Sequence, residues 1–122
     1  DVDIVLTFGA ITGDAVLSLY TGATAAAKTT KIAFRYRLSS GDFKAASADL
    51  YGAESTDADG DLTLTAATYD HRVLVIHLDG GELTDTKPWI TVDVSAAADV
   101  LLLSAVALVC MPRYRPALTA IA

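Results

Sequence analysis

Asp57-Ala58-Asp59-Gly60-Asp61 sets carboxylates at alternate positions around a glycine, the way calcium loops gather oxygen ligands. An EF-hand loop continues with a glycine after the third acid and closes with a glutamate at its twelfth position. Leu62 and Thr68 stand at those places, so the pattern fails and the stretch reads as a polar hairpin loop between two strands. His71 and His77 are separated by an even number of residues, which puts both on one face of a regular strand, and Asp79 shares that parity. Two histidines and one carboxylate on a strand more often pack or meet a partner than hold zinc. Cys110, between Val109 and Met111, reads as a small buried hydrophobe, and one cysteine excludes an intrachain disulfide. Gly-x-Ser-x-Gly, His-Glu-x-x-His and glycine-rich phosphate loops are all missing, and Gly80-Gly81 is a turn signal. We therefore expect no catalytic residues, no metal site and no cofactor.

The elements that carry these residues follow from length and composition. A chain of 122 residues that is 52% hydrophobic and 20% charged makes one domain with a sizeable core. Fifteen acids against nine lysines and arginines give a formal charge of -6, the wrong sign for a general nucleic-acid binder. Fourteen threonines and many valines favour strands, since β-branched side chains fit a pleated surface. The first apolar stretch, Ile4 to Phe8, is too short for a secretory leader and is flanked by Asp1 and Asp3. The most apolar run, Val100 to Met111, is too short to span a membrane as a helix and reads as a buried element.

Short apolar runs alternate with Gly, Asp, Ser and Thr punctuation along the whole chain, the pattern of an all-β fold. Ile32, Phe34, Tyr36 and Leu38 share one face while Lys31, Arg35 and Arg37 share the other. Leu62 and Leu64, and then Ile90, Val92 and Val94, alternate with polar residues in the same way. Val73 to Ile76 is apolar throughout, which predicts a strand covered on both faces, by the facing sheet and by a loop or a partner subunit. Three stretches resist a strand assignment. Gly22 to Thr30 suits a helical turn or a loop, Asp79 to Thr84 suits a single helical turn, and Ser95 to Cys110 suits a helix capped by Ser95 or Asp99. The expected fold is a β-sandwich of about eight strands, jelly-roll-like, with at most short helical turns, in one domain over residues 1–122.

The charge is uneven. Residues 49–99 hold eleven acids against Arg72 and Lys87, while residues 100–122 hold only Arg113 and Arg115. Pro112 and Pro116 bracket Arg113-Tyr114-Arg115, which suits an extended arm over residues 112–122. Arg and Tyr are enriched where interfaces bind most strongly. Arg113, Tyr114 and Arg115, with Trp89, are therefore the expected partner contacts.

The order of these features resembles the head decoration, or cement, proteins of tailed bacteriophages. The likeness is carried by Lys31-Ile32-Ala33-Phe34-Arg35-Tyr36-Arg37-Leu38, by Val73-Leu74-Val75-Ile76-His77-Leu78-Asp79 leading to Glu82-Leu83, by Lys87-Pro88-Trp89-Ile90-Thr91-Val92-Asp93-Val94, and by Arg113-Tyr114-Arg115-Pro116-Ala117. The resemblance implies a β-sandwich on the outer surface of the virion. It would bind the major capsid protein, stabilise the shell by bridging capsid subunits and self-associate as a dimer or trimer, without nucleic acid or membrane. Such a protein also presents large exposed apolar patches in isolation. A carbohydrate-binding sandwich of a tail fibre or secreted protein shares most of these traits. It needs a flat platform of exposed aromatics, for which Trp89, Tyr20, Tyr51 and Tyr69 are the candidates.

Overall fold

Ile4, Leu6 and Phe8 fall on one side of an extended run and Asp3, Val5 and Thr7 on the other. That run is strand β1, Val2–Ile11, of the computed structural model, which describes residues 1–42, 50–96 and 101–109. Among the described residues nine strands form two antiparallel sheets that enclose the core between them, an all-β sandwich. The second sheet is organised on β2, Ala15–Gly22. Along one edge of β2 lies β8, Trp89–Ala96, paired over its whole length. The other edge is shared by β6, Asp61–Leu64, beside Ala15 to Ser18, and by β3, Thr30–Lys31, beside Tyr20 and Thr21. The first sheet contains β4, Phe34–Leu38, β5, Ser55–Asp57, β7, Val73–Leu78, and β9, Leu101–Val109, in the order β5-β4-β7-β1-β9.

Alternation sends Leu6 and Phe8 of β1, Leu17 and Leu19 of β2, and Leu74 and Ile76 of β7 into a core that excludes water from each of them. Full burial of each such side chain contributes roughly 1.5–3 kcal/mol. Phe34, Tyr36 and Leu38 face inward as their spacing predicts, with Phe34 buried and the other two packed against the core.

Lys31 to Leu38 is not one strand. Thr30 and Lys31 pair with β2 in the second sheet, and from Phe34 onward the chain pairs with β7 in the first. Period-2 alternation is indifferent to which sheet supplies the neighbour, so the pattern alone does not reveal the crossing. The strand that begins with the alternation of Leu62 and Leu64 stops at Leu64, and Ala66–Tyr69 forms a short helix, α1. A continued strand would point Tyr69 away from the core, on the opposite parity to Leu62 and Leu64. The helical turn swings its ring inward, edge-on to Phe8 at 6.0 Å.

The helix considered for Ser95 to Cys110 does not form in its described part. Ser95 pairs with Val16 inside β8, and Leu101 to Val109 pairs with β1. The turn expected after Asp79 is present as a 3-10 turn, Gly80–Glu82, closed by a reciprocal capping box between Asp79 and Glu82. Among the described residues no helix is long and apolar enough to cross a membrane.

Candidate interaction surface

The outward-facing residues of β4, β7, β1 and β9 form continuous cross-strand rows on the outer face of the first sheet. One row runs Arg37, Val75, Val5, Val106, and the next runs Arg35, His77, Asp3, Leu108. The face is charged at its β4 end and apolar at its β9 end.

At the charged end a shallow depression of about 330 Å³ is lined by Asp3, Arg35, Arg37, Glu54, Val75 and His77 together with Tyr36. His77 Nδ1 lies 2.6 Å from Asp3 Oδ1. Glu54 lies between two guanidinium groups, 3.7 Å from Arg35 Nη1 and 4.0 Å from Arg37 Nε. All of these side chains are a third or more exposed, so the pairs are solvent-screened and each is worth at most about 1 kcal/mol. Among the described residues no serine, threonine or cysteine lines the depression beside His77 to serve as a nucleophile. The arrangement suits recognition of a mixed polar surface.

At the other end the structure overturns one expectation. Val100 to Met111 reads in the sequence as a buried element, yet the described part of it lies open to solvent: Leu102 is 58%, Val106 56% and Val109 70% exposed. The cause is position in the sheet. β9 is the terminal strand, paired with β1 on one side and with no other strand on the other side among the described residues. Leu103, Ala105, Ala107 and Val109 have the core-facing parity of β1, and they are exposed too, so the second sheet does not reach over β9. Leu102 is seated over Gly9, where any Cβ would come within 2.9 Å of the leucine Cβ. The β1–β9 register shifts between Phe8 and Ile11, around that contact. Val5, Val73 and Val75 on the neighbouring strands are half-buried and extend the apolar area inward. Leu74, Ile76 and Leu78 take the core side, while Val73 and Val75 lie on an outer face that is only partly screened in place of the full cover expected there.

The expected partner residues divide. Arg113, Tyr114 and Arg115, the arm over 112–122 and Cys110 lie outside the described residues. Trp89 is described and half exposed, but it begins β8 in the second sheet, apart from the apolar face of the first.

The other candidates are accounted for locally. Asp57 accepts a hydrogen bond from the Asp61 backbone at 3.0 Å. The loop is not the hairpin expected from the sequence: β5 pairs with β4 in the first sheet and β6 with β2 in the second, so the chain crosses between sheets there. The Asp61 carboxylate is held by Lys31 and by the Ser18 hydroxyl, which donates at 2.5 Å. These two bonds, that of Lys31 first, hold Asp61 below the usual aspartate range, and Asp61 in turn raises Lys31. Asp79 is likewise lowered, first by the backbone N–H of Gly81 that it accepts. His71 does not share a strand with His77: it sits in the turn before β7 with φ 52°. Among the described residues no group of three His, Cys, Asp or Glu side chains is placed to hold a metal.

The four aromatics of a sugar platform are dispersed. Tyr69 is buried in the core and Tyr51 bridges to Ser39 beside the first sheet. Tyr20 and Trp89 share the outer face of the second sheet, but Ala27 packs over Gly22, which is Trp89's partner there. Lys31 lies over the Tyr20 ring, 5.9 Å from its centroid.

The Asp3, Arg35, Glu54 and His77 cluster is not visible as a motif, because pairing between distant segments assembles it. One signal was available: Asp3 and His77 are ionisable residues set at outward positions of strands that carry no other charge. No protein-family model, curated protein or solved structure matches the chain.

Proposed function

We propose that this chain is a structural subunit of a tailed-phage virion, binding the outer capsid surface through the outer face of its five-stranded sheet and bridging the major capsid protein subunits of the shell. The observation that carries this reading is the exposed apolar area at Leu102, Val106 and Leu108, continued inward by Val5 and Val75. Contiguous apolar surface of this kind on a small domain marks a site of protein association. The charged depression at its edge supplies the polar rim that such contacts have. The resemblance of the strand pattern to decoration proteins supports the same reading, and the dispersal of the aromatics disfavours the sugar-binding alternative.

The test is co-sedimentation of the purified chain with undecorated heads of the virus that encodes it. The chain is expected to pellet with the shells, and Val75→Glu, in the middle of the face, to reduce capture at least tenfold while keeping the β-type circular dichroism spectrum. Equal capture of the variant would reject this face, and absence of capture by the unmodified chain would reject the reading.

A further inference from the structure

We infer that β9 is the edge along which two copies of this chain join, antiparallel about a two-fold axis, so that two five-stranded sheets become one continuous sheet. The inference rests on the capsid-subunit reading above and adds to it a mode of self-association.

The strand edges of the two sheets are not alike. β5 ends the first sheet with three residues, Ser55, Thr56 and Asp57, too short and polar to template pairing. β3 has two residues. β8 carries Asp93, bound to Lys28 at 2.6 Å. Short length and edge charge are the devices by which sheets block edge-to-edge association. β9 has nine residues, no charge and no proline, and its sequence is Leu-Leu-Leu-Ser-Ala-Val-Ala-Leu-Val. Its apolar side chains are exposed on both faces of the strand, Leu102 and Val106 on one, Leu103 and Val109 on the other.

Two features select a second copy as the occupant. The first is charge. Each chain carries -6, so copies repel over most of their surface. Along β9 they meet without bringing acids together, and Asp3, the outward charge on the adjoining strand, is already bonded to His77. The second is self-complementarity. Full antiparallel overlap of residues 101–109 puts Ala105 opposite Ala105 of the other copy. Leu103 then meets Ala107 and Ser104 meets Val106, large against small beside the axis, while Leu102 meets Leu108 and Leu101 meets Val109, apolar against apolar at the two ends.

The ladder would be about 30 Å long. With its flanking side chains it would cover on the order of 500 Å² per copy, less than the roughly 800 Å² of a standard stable interface. The expected dimer therefore dissociates in the micromolar range.

The experiment uses the full chain. Sedimentation velocity is expected to show a monomer–dimer equilibrium that rises with concentration, and Val106→Lys to shift it at least tenfold toward monomer with an unchanged circular dichroism spectrum. In a Cys110→Ser background, Ala105→Cys should form a disulfide dimer on mild oxidation. Cross-strand Cα separations of about 4.5–5.5 Å fall within the range a disulfide spans. Asp14→Cys, in the β1–β2 turn, should not. A chain that stays monomeric at high concentration, or Ala105→Cys that cross-links no faster than Asp14→Cys, overturns the inference. If Val106→Lys fails to fold, the cross-linking comparison still decides. Shell capture reads separately: a monomer that pellets with heads removes the β9 pairing and keeps the capsid reading, and a dimer that ignores heads does the reverse.

Discussion

His77 Nδ1 lies 2.6 Å from Asp3 Oδ1, and the two residues stand directly opposite each other on β7 and β1. The pair marks the line across the outer face where the charged side chains of β4 give way to the valines and leucines nearer β9. Both side chains are more than a third exposed or close to it, so the pair contributes at most about 1 kcal/mol. His77→Ala is expected to lower the unfolding free energy by no more than that in a urea titration. A loss of several kcal/mol would mean that the pair anchors the sheet.

Phe8 carries much more. It is fully buried and meets Tyr69 edge-on, with the ring planes at 78°. Truncation leaves a cavity and removes the aromatic pair, so Phe8→Ala should cost about 3–5 kcal/mol. Denaturant unfolding measures it, and a cost under 1 kcal/mol would show that the core between the sheets is not packed as described.

Gly60 has φ 73°, and a Cβ there would come within 2.7 Å of the Ile32 carbonyl oxygen. Gly60→Ala therefore strains the backbone and collides with it at once, and should destabilise by more than about 1 kcal/mol. A neutral or stabilising result in a thermal melt would show that the turn between β5 and β6 relaxes freely.

Burial pushes the Tyr69 hydroxyl up from 10.0 to about 12. A raised value means that the folded state favours the protonated phenol. Its contribution is complete below pH 10 and is lost as pH rises from there through about 12. Alkaline unfolding followed by circular dichroism should fall more steeply in that window for the unmodified chain than for Tyr69→Phe. Parallel curves would place the hydroxyl in water.

Asp61 gives the opposite dependence. Lys31 and Ser18 hold its carboxyl below 3.8, so its contribution is present above that value and is lost as pH falls through the lowered one. Asp61→Asn should lower stability slightly at neutral pH and flatten the acid limb, so that the two curves converge as pH falls through the lowered value. An unchanged acid limb would mean that the bonds linking β2, β3 and β6 do not persist in solution.

Much of the fold was legible because alternation and punctuation are local. Phe34-Arg35-Tyr36-Arg37-Leu38 and Ile90 to Val94 declare strands residue by residue, and Asp79-Gly80-Gly81-Glu82 declares its capped turn. What covers a strand is not local. Leu101 to Val109 is apolar enough for a core strand, and only its place at the end of the sheet exposes it. The crossing at Ile32 and Ala33 and the turn that brings Tyr69 inward are decided by distant neighbours, Thr21 in one case and Phe8 in the other. The outer-face depression was illegible for the same reason, since its residues come from β1, β4, β7 and the segment before β5.

The position of β1 governs when the molecule can fold. It is made first, yet it lies inside its sheet, flanked by β7 and β9, which are made late. On a ribosome the backbone groups of Val2–Ile11 wait for both neighbours. At ordinary elongation rates the interval before Val109 is made is roughly 5–20 s. During that time Ile4, Leu6 and Phe8 have no sheet to enter, so the nascent chain is an aggregation hazard until its last described strand arrives.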